Sequence, residues 1–154
     1  MTSSPEPFTT ADLVHLDLPG DDTRGIVEAL ASRLAEQGRL TDIDAFVEAV
    51  MKREALEPTA LPGGVAIPHA RHSAVSTPSV AVGRLTAPVS FAEGKPEVDV
   101  VLLIAAGDED PSAYLALLAK IAGACVRSSF RSSLRTAGRP DEVATLVSGA
   151  IGRL

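Results

Sequence analysis

The residues most able to do chemistry in this chain are its three histidines, His15, His69 and His72. His69 has the most distinctive setting, at the end of Gly63-Gly64-Val65-Ala66-Ile67-Pro68. The glycines allow a tight turn, and Pro68 fixes its own φ while forcing the residue before it to be extended. Such a stretch presents an imidazole rigidly at a strand end. Rigid presentation suits in-line nucleophilic attack, where misplacement costs rate steeply. An imidazole with an unperturbed pKa of ~6.5 is also mostly neutral, and so nucleophilic, at pH 7. Pro-His turns also occur as ordinary loops, so this local geometry alone makes His69 a candidate and no more. His15 lies in a strand-like pattern without an evident partner and reads as structural or exposed. His72 follows His69 by three residues. No cysteine, histidine or carboxylate cluster nearby supplies further ligands, so a metal site is not expected.

Other chemistries lack their residues. There is no Walker loop, no Gly-rich dinucleotide fingerprint and no nucleophile elbow. The acids cluster where helices would start, which capping explains better than paired-carboxylate catalysis. The net charge of −6 and the 3% aromatic content argue against nucleic-acid binding. Arg127, Arg131, Arg135 and Arg139 are spaced by four and would line one face of an unbroken helix. They read either as a solvated basic face or as a docking patch for an acidic partner.

A longer pattern surrounds His69. Met51-Lys52-Arg53-Glu54, then Thr59, then Gly64-Val65-Ala66-Ile67-Pro68-His69-Ala70 resembles the active-site signature of the fructose/mannitol-class enzyme IIA of the bacterial sugar phosphotransferase system. The likeness continues through Ser79–Leu85, Val100–Ala106 and Leu115–Ile121, and spans roughly residues 10 to 152. The resemblance implies that His69 accepts a phosphoryl group from the phosphorylated histidine-containing carrier protein. It implies passage to a IIB component, commonly to a cysteine there, with indirect association to the membrane through the permease. No cofactor is required, since positioning and charge neutralisation suffice for such transfers. Arg53 matches the family arginine near the histidine and would pair with phosphate oxygens; its alternative is a helix-surface arginine paired to Glu54 or Glu57. Many members carry a second histidine in an H-L pattern where this chain has Tyr114-Leu115. Tyrosine donates a hydrogen bond but cannot become a cation. The free N–H groups of its helical turn would help hold a phosphate, opposed by Asp108, Glu109 and Asp110 if these point inward. A related reading is a regulatory module of the same fold, phosphorylated but serving protein partners. A third is an inert scaffold, which would bond both nitrogens of a buried His69.

The elements that must position these residues follow from periodicity. Residues 1–10 read as a flexible tail and 11–154 as one domain, which the resemblance implies is IIA-like. Leu13–Leu18 alternates as a strand. Asp21-Asp22-Thr23 starts a helix with Ile26, Leu30 and Leu34 on one stripe, stopped at Gly38. A second helix runs from Thr41-Asp42 to about Leu56. Val65–Ile67 is a short apolar stretch. Ser79–Leu85 is a strand, and Thr86–Phe91 is a separate strand edge because Pro88 cannot donate a ladder bond. Val98–Ala106 reads as a strand buried on both faces. Helices then begin at Asp110-Pro111, Ser128 and Pro140. The expected fold class is α/β, a single-domain mixed sheet flanked by helices on both sides. Cys125, the one cysteine, falls on an apolar stripe as a core residue. The polar, Pro-rich Met1–Pro7 lacks an apolar signal stretch, so a cytoplasmic setting is expected.

Overall fold

In a computed structural model, residues 7–152 of the chain are described. The strands are β1 (Val14–Leu18), β2 (Ala60–Leu61), β3 (Val65–Ala66), β4 (His69–Arg71), β5 (Ser79–Ser90) and β6 (Glu97–Ala106). The helices are α1 (Thr23–Glu36), α2 (Ile43–Leu56), α3 (Pro111–Cys125), α4 (Ser128–Thr136) and α5 (Pro140–Ile151). One mixed sheet runs in the order β1-β5-β6-β3-β2, with β4 also pairing β6.

β6 is the centre of this sheet, and its composition explains why. It runs antiparallel to β5 and parallel to β3 and β4. From Val100 to Ala105 its side chains alternate between two cores, and Val98 lies outside that alternation. Val98, Val101, Leu103 and Ala105 join α1 and α2 on one face. Val100, Leu102 and Ile104 join α3, α4 and α5 on the other. Leu102, Leu103 and Ile104 are fully buried, each contributing about 1.5–3 kcal/mol from removal of apolar surface from water. A strand apolar on both faces has no stable place at a solvated sheet surface, so helices must cover both sides. This is the flanked mixed sheet expected from the sequence.

The caps hold where capping chemistry placed them. Asp22 accepts from Gly25 N, Asp42 from Ala45 N and Asp110 from Ala113 N, each satisfying a helix-end donor. Cys125 is fully buried, and burial pushes its thiol up to about 11.

Several expectations change. Ser79–Ser90 is one continuous strand, not a strand and a separate edge. Its pairing with β6 breaks between Arg84 and Val89, and Pro88 lies in that break, where no ladder donor is needed. β2 and β4 were not anticipated as strands; two or three residues carry too little periodicity to register. Residues 1–6 of the expected tail lie outside the described residues. Pro7–Thr10 are tied down: Pro7 O accepts from Arg39 Nη1 at 2.6 Å and Phe8 O from Val80 N at 2.7 Å.

The four arginines do not form one helix face. Arg127 and Arg139 stand at the N-caps of α4 and α5, outside the regular turns. Arg131 donates to Cys125 O, and Arg135 grips the Asp99 carboxylate at 2.7 Å and Gly63 O. The Arg131 bond ties α4 to the end of α3, and the Arg135 bonds tie it to β6 and to the turn before β3. With Arg131 and Arg135 committed to the fold, the row is neither the one solvated basic face nor the one docking patch expected of an unbroken helix.

No single helix among the described residues is long and apolar enough to cross a membrane.

Candidate functional site

The segment that presents His69 is built from the turn outward. Leu61-Pro62-Gly63-Gly64 closes the β2–β3 hairpin, with Gly64 N donating to Leu61 O at 3.3 Å and Gly63 at φ +98°. Proline followed by a positive-φ glycine is the demand of a type II turn. Residues 65–71 then run beside β6 in two pieces, β3 and β4. Pro68 interrupts them, lacking an N–H, yet its carbonyl still accepts from Ile104 N at 3.0 Å. His69 is therefore the first residue of β4, in register with Ile104, and its ring is presented at a strand end.

The ring is 7% exposed, and its Nδ1 lies 2.7 Å from Ile67 O. A carbonyl only accepts, so Nδ1 carries the hydrogen and donates. The neutral ring then has its lone pair on Nε2, which has no hydrogen-bond partner among the described residues. The mark of an inert scaffold, bonds on both nitrogens, is absent there. Burial pulls the imidazole pKa below its usual value; the Ile67 carbonyl opposes this, nearby Arg53 adds to it, and Glu54 opposes it.

Arg53 reaches the site from the last turn of α2. Its Nη1 donates to Glu57 O at 2.9 Å, and it forms no ion pair with the Glu54 or Glu57 carboxylates. Glu54, beside it, is buried and turned inward. It accepts from Thr59 N at 3.2 Å and from the Thr59 hydroxyl. Thr59 O in turn accepts from Ile67 N at 3.4 Å. A buried carboxylate thus holds a threonine, which holds the backbone whose carbonyl orients His69. The sequence marked Glu54 and Thr59 only as landmarks.

Tyr114 comes in from the first turn of α3. Its ring centroid is 6.1 Å from that of His69, tilted at 57°. Burial raises its hydroxyl pKa, with Arg53 and Arg71 opposing, so the hydroxyl keeps its proton at neutral pH. The backbone of that turn is less available than expected. Tyr114 N donates to Asp110 O and Ala113 N to Asp110 Oδ1, while Pro111 has no N–H. Asp110 serves as the cap, and the exposed Asp108 and Glu109 are not among the charges that shift the His69 pKa.

Arg71 is a member of the cluster that sequence reasoning missed. Its guanidinium carbon stands 6.0 Å from the Tyr114 ring centroid. The signal was present as spacing: two residues after His69 in a strand means the same face. His72 and His15 stand apart from this cluster. His72 Nδ1 accepts from Ala74 N at 2.9 Å, which fixes the following turn. His15, on the edge strand β1, pairs with Gly83 of β5.

A family model described as "Phosphoenolpyruvate-dependent sugar phosphotransferase system, EIIA 2" matches residues 7–149. The chain belongs to this enzyme IIA family. It is 33% identical over 139 residues to the PTS system 2-O-alpha-mannosyl-D-glycerate-specific EIIABC component of Escherichia coli K12, covering 88% of this chain. The chain spans about a fifth (21%) of the length of that relative. Among solved structures, the nitrogen regulatory protein IIA-Ntr from Neisseria meningitidis superposes with a TM-score of 0.81 at 28% identity, covering 89% of this chain and 94% of that one. The Escherichia coli mannitol IIA, solved in complex with phosphorylated mannitol IIB, shares the fold with a TM-score of 0.77 at 21% identity, covering 92% and 97%. The IIA chain is thus similar to both a sugar-specific component and a nitrogen regulatory one.

Proposed function

We propose that this IIA chain is a phosphoryl carrier that takes phosphate on Nε2 of His69 from the phosphorylated histidine-containing carrier protein and passes it to a IIB component, coupling to sugar uptake. The observation that carries the reading is the Nδ1–Ile67 bond at 2.7 Å, which fixes the ring with its Nε2 lone pair available. In the first transfer that lone pair attacks the phosphorus of the carrier's phosphohistidine. The new N–P bond forms as the carrier's N–P bond breaks, and the departing electron pair returns to the carrier's imidazole. The Ile67 carbonyl stabilises the positive charge that develops on the Nδ1–H of His69. In the second transfer a nucleophile of the IIB component, commonly a cysteine thiolate, attacks the same phosphorus, and the pair returns to Nε2.

Arg53 supplies a guanidinium to the phosphoryl oxygens, where positioning and charge neutralisation do most of the work. Tyr114 serves as a neighbouring hydrogen-bond donor. The mannitol IIA seen with phosphorylated IIB supports a IIB protein as the acceptor.

The similarity to IIA-Ntr favours a second reading, in which the phosphorylated chain regulates a protein partner and feeds no permease. One experiment separates them. The chain is incubated with phosphoenolpyruvate, the general phosphotransferase enzyme and the carrier, then chased with a IIB protein. Acid-labile phosphate on the chain, absent in His69→Ala, supports the carrier step. Its absence, or its persistence in His69→Ala, overturns that step. Failure of the label to move to IIB favours the regulatory reading.

A further inference from the structure

We propose that Arg71 is a second phosphate-binding cation of the His69 centre, seated on the ring of Tyr114. The inference rests on the phosphoryl-accepting role of His69.

Strand geometry puts the two residues together. His69 and Arg71 are the first and last residues of β4, ~6.6 Å apart along the strand, and alternate residues share a face. Ala70 between them joins the core under α1 and α2. His69 and Arg71 therefore both face the side covered by α3, and both meet Tyr114. The His69 centroid is 6.1 Å from that ring and the Arg71 guanidinium carbon is 6.0 Å from it. The ring is a shared wall, with the imidazole and the guanidinium each against it.

Arg71 is also uncommitted. It is exposed, and among the described residues it forms no ion pair and no hydrogen bond. Other arginines differ in this respect: Arg39, Arg84, Arg131 and Arg135 all donate to backbone or side-chain oxygens. A guanidinium resting on an aromatic face with its N–H groups unspent is arranged to receive an anion.

The charge at the site calls for such a group. A phosphoryl group on Nε2 carries close to two negative charges at neutral pH. Arg53 supplies one positive charge, and one of its N–H groups already serves Glu57 O. Tyr114 supplies none. Arg71 restores the balance, with Tyr114 acting through it as a positioning residue. The rotamer freedom that a long exposed arginine loses on binding phosphate is reduced in advance by the ring contact. No bond to Arg71 forms or breaks during transfer.

The test measures the rate of phosphoryl acceptance from the phosphorylated carrier in wild type, Arg71→Ala, Arg71→Lys, Tyr114→Ala and the Arg71→Ala/Tyr114→Ala double variant. Arg71→Ala is expected to slow acceptance by about ten- to a hundred-fold, the range of a charge-assisted hydrogen bond. Arg71→Lys should recover part of the loss, because it keeps the charge without the fork. The double variant should be little slower than the slower single one, since both changes remove one arrangement. Acceptance by Arg71→Ala within about twofold of wild type overturns the proposal and leaves the His69 reading intact. Arg71→Lys as slow as Arg71→Ala also overturns it, because charge would then be irrelevant. A wild-type chain that takes no label overturns the reading of His69 and this proposal with it.

Discussion

His69 Nδ1 donates to the backbone oxygen of Ile67 at 2.7 Å, across the single intervening residue Pro68. The proline makes this short loop dependable. It fixes φ and forces Ile67 into an extended conformation, which aims the Ile67 carbonyl back at the ring. The tautomer of the histidine is thus set by backbone atoms two residues away.

The ring should be neutral to lower pH than an ordinary histidine. Burial and Arg53 both depress its pKa from 6.5. Titration by NMR is expected to show a midpoint below 6.5, with the proton of the neutral form on Nδ1. Arg53→Gln removes a depressing charge, so the midpoint should rise. The same variant should accept phosphate about ten- to a hundred-fold more slowly. An unchanged midpoint in Arg53→Gln would place that guanidinium away from the ring.

Stability should carry the same signature. As pH falls through 6.5 the unfolded His69 binds a proton before the folded one does, so folding is progressively disfavoured until the folded pKa is passed. Urea unfolding at pH 7.5 and pH 5 should show a smaller acid loss in His69→Gln than in wild type. Equal losses would assign the acid sensitivity to other groups.

The buried Glu54–Thr59 pair should matter more for order than for charge. Thr59→Val leaves one Glu54 oxygen without its hydroxyl donor in a site 6–7% exposed. The expected cost is about 1–3 kcal/mol, read as a lower urea midpoint. Because Thr59 O meets Ile67 N, the His69 tautomer should also become less uniform in nitrogen NMR.

Arg84 should act as a side-chain cap on α4. Its Nη1 reaches Leu134 O, Arg135 O and Ala137 O, the last at 2.6 Å, and its Nε reaches Leu16 O at 3.3 Å. A cation on the carbonyls at a helix C-terminus satisfies unpaired acceptors and opposes the dipole. Arg84→Met keeps most of the stem and is expected to lose about 2 kcal/mol. Amide exchange should quicken in α4 before it does in the sheet.

Cys125 should be unreactive while the chain is folded. Its thiol is fully buried, with a pKa of about 11, so almost no thiolate exists at pH 8. Iodoacetamide labelling is expected only in denaturant. Labelling of the native chain at the unfolded rate would show that α3 opens readily.

The sequence by itself determined the strong periodic elements and singled out His69 as the candidate histidine. Asp22, Asp42 and Asp110 marked helix starts because capping is local chemistry. The apolar run of β6 announced a strand with helices on both faces, because alternation fails only where both sides are buried. Ile67-Pro68-His69 stood out because proline restricts its neighbours within one residue. Tertiary structure alone decided the rest. β4 has three residues, too few for a pattern, and becomes a strand only because β6 offers it a ladder. The arginine row looked like one surface until α4 ended at Thr136 and Arg135 met Asp99, thirty-six positions away. Glu54, Thr59 and Ile67 form a chain of support for His69 through hydrogen bonds that no spacing rule encodes. Arg71 joined the site only when α3 brought Tyr114 across β4. Local sequence carries local geometry; which groups gather around His69 depends on contacts between segments that are distant along the chain.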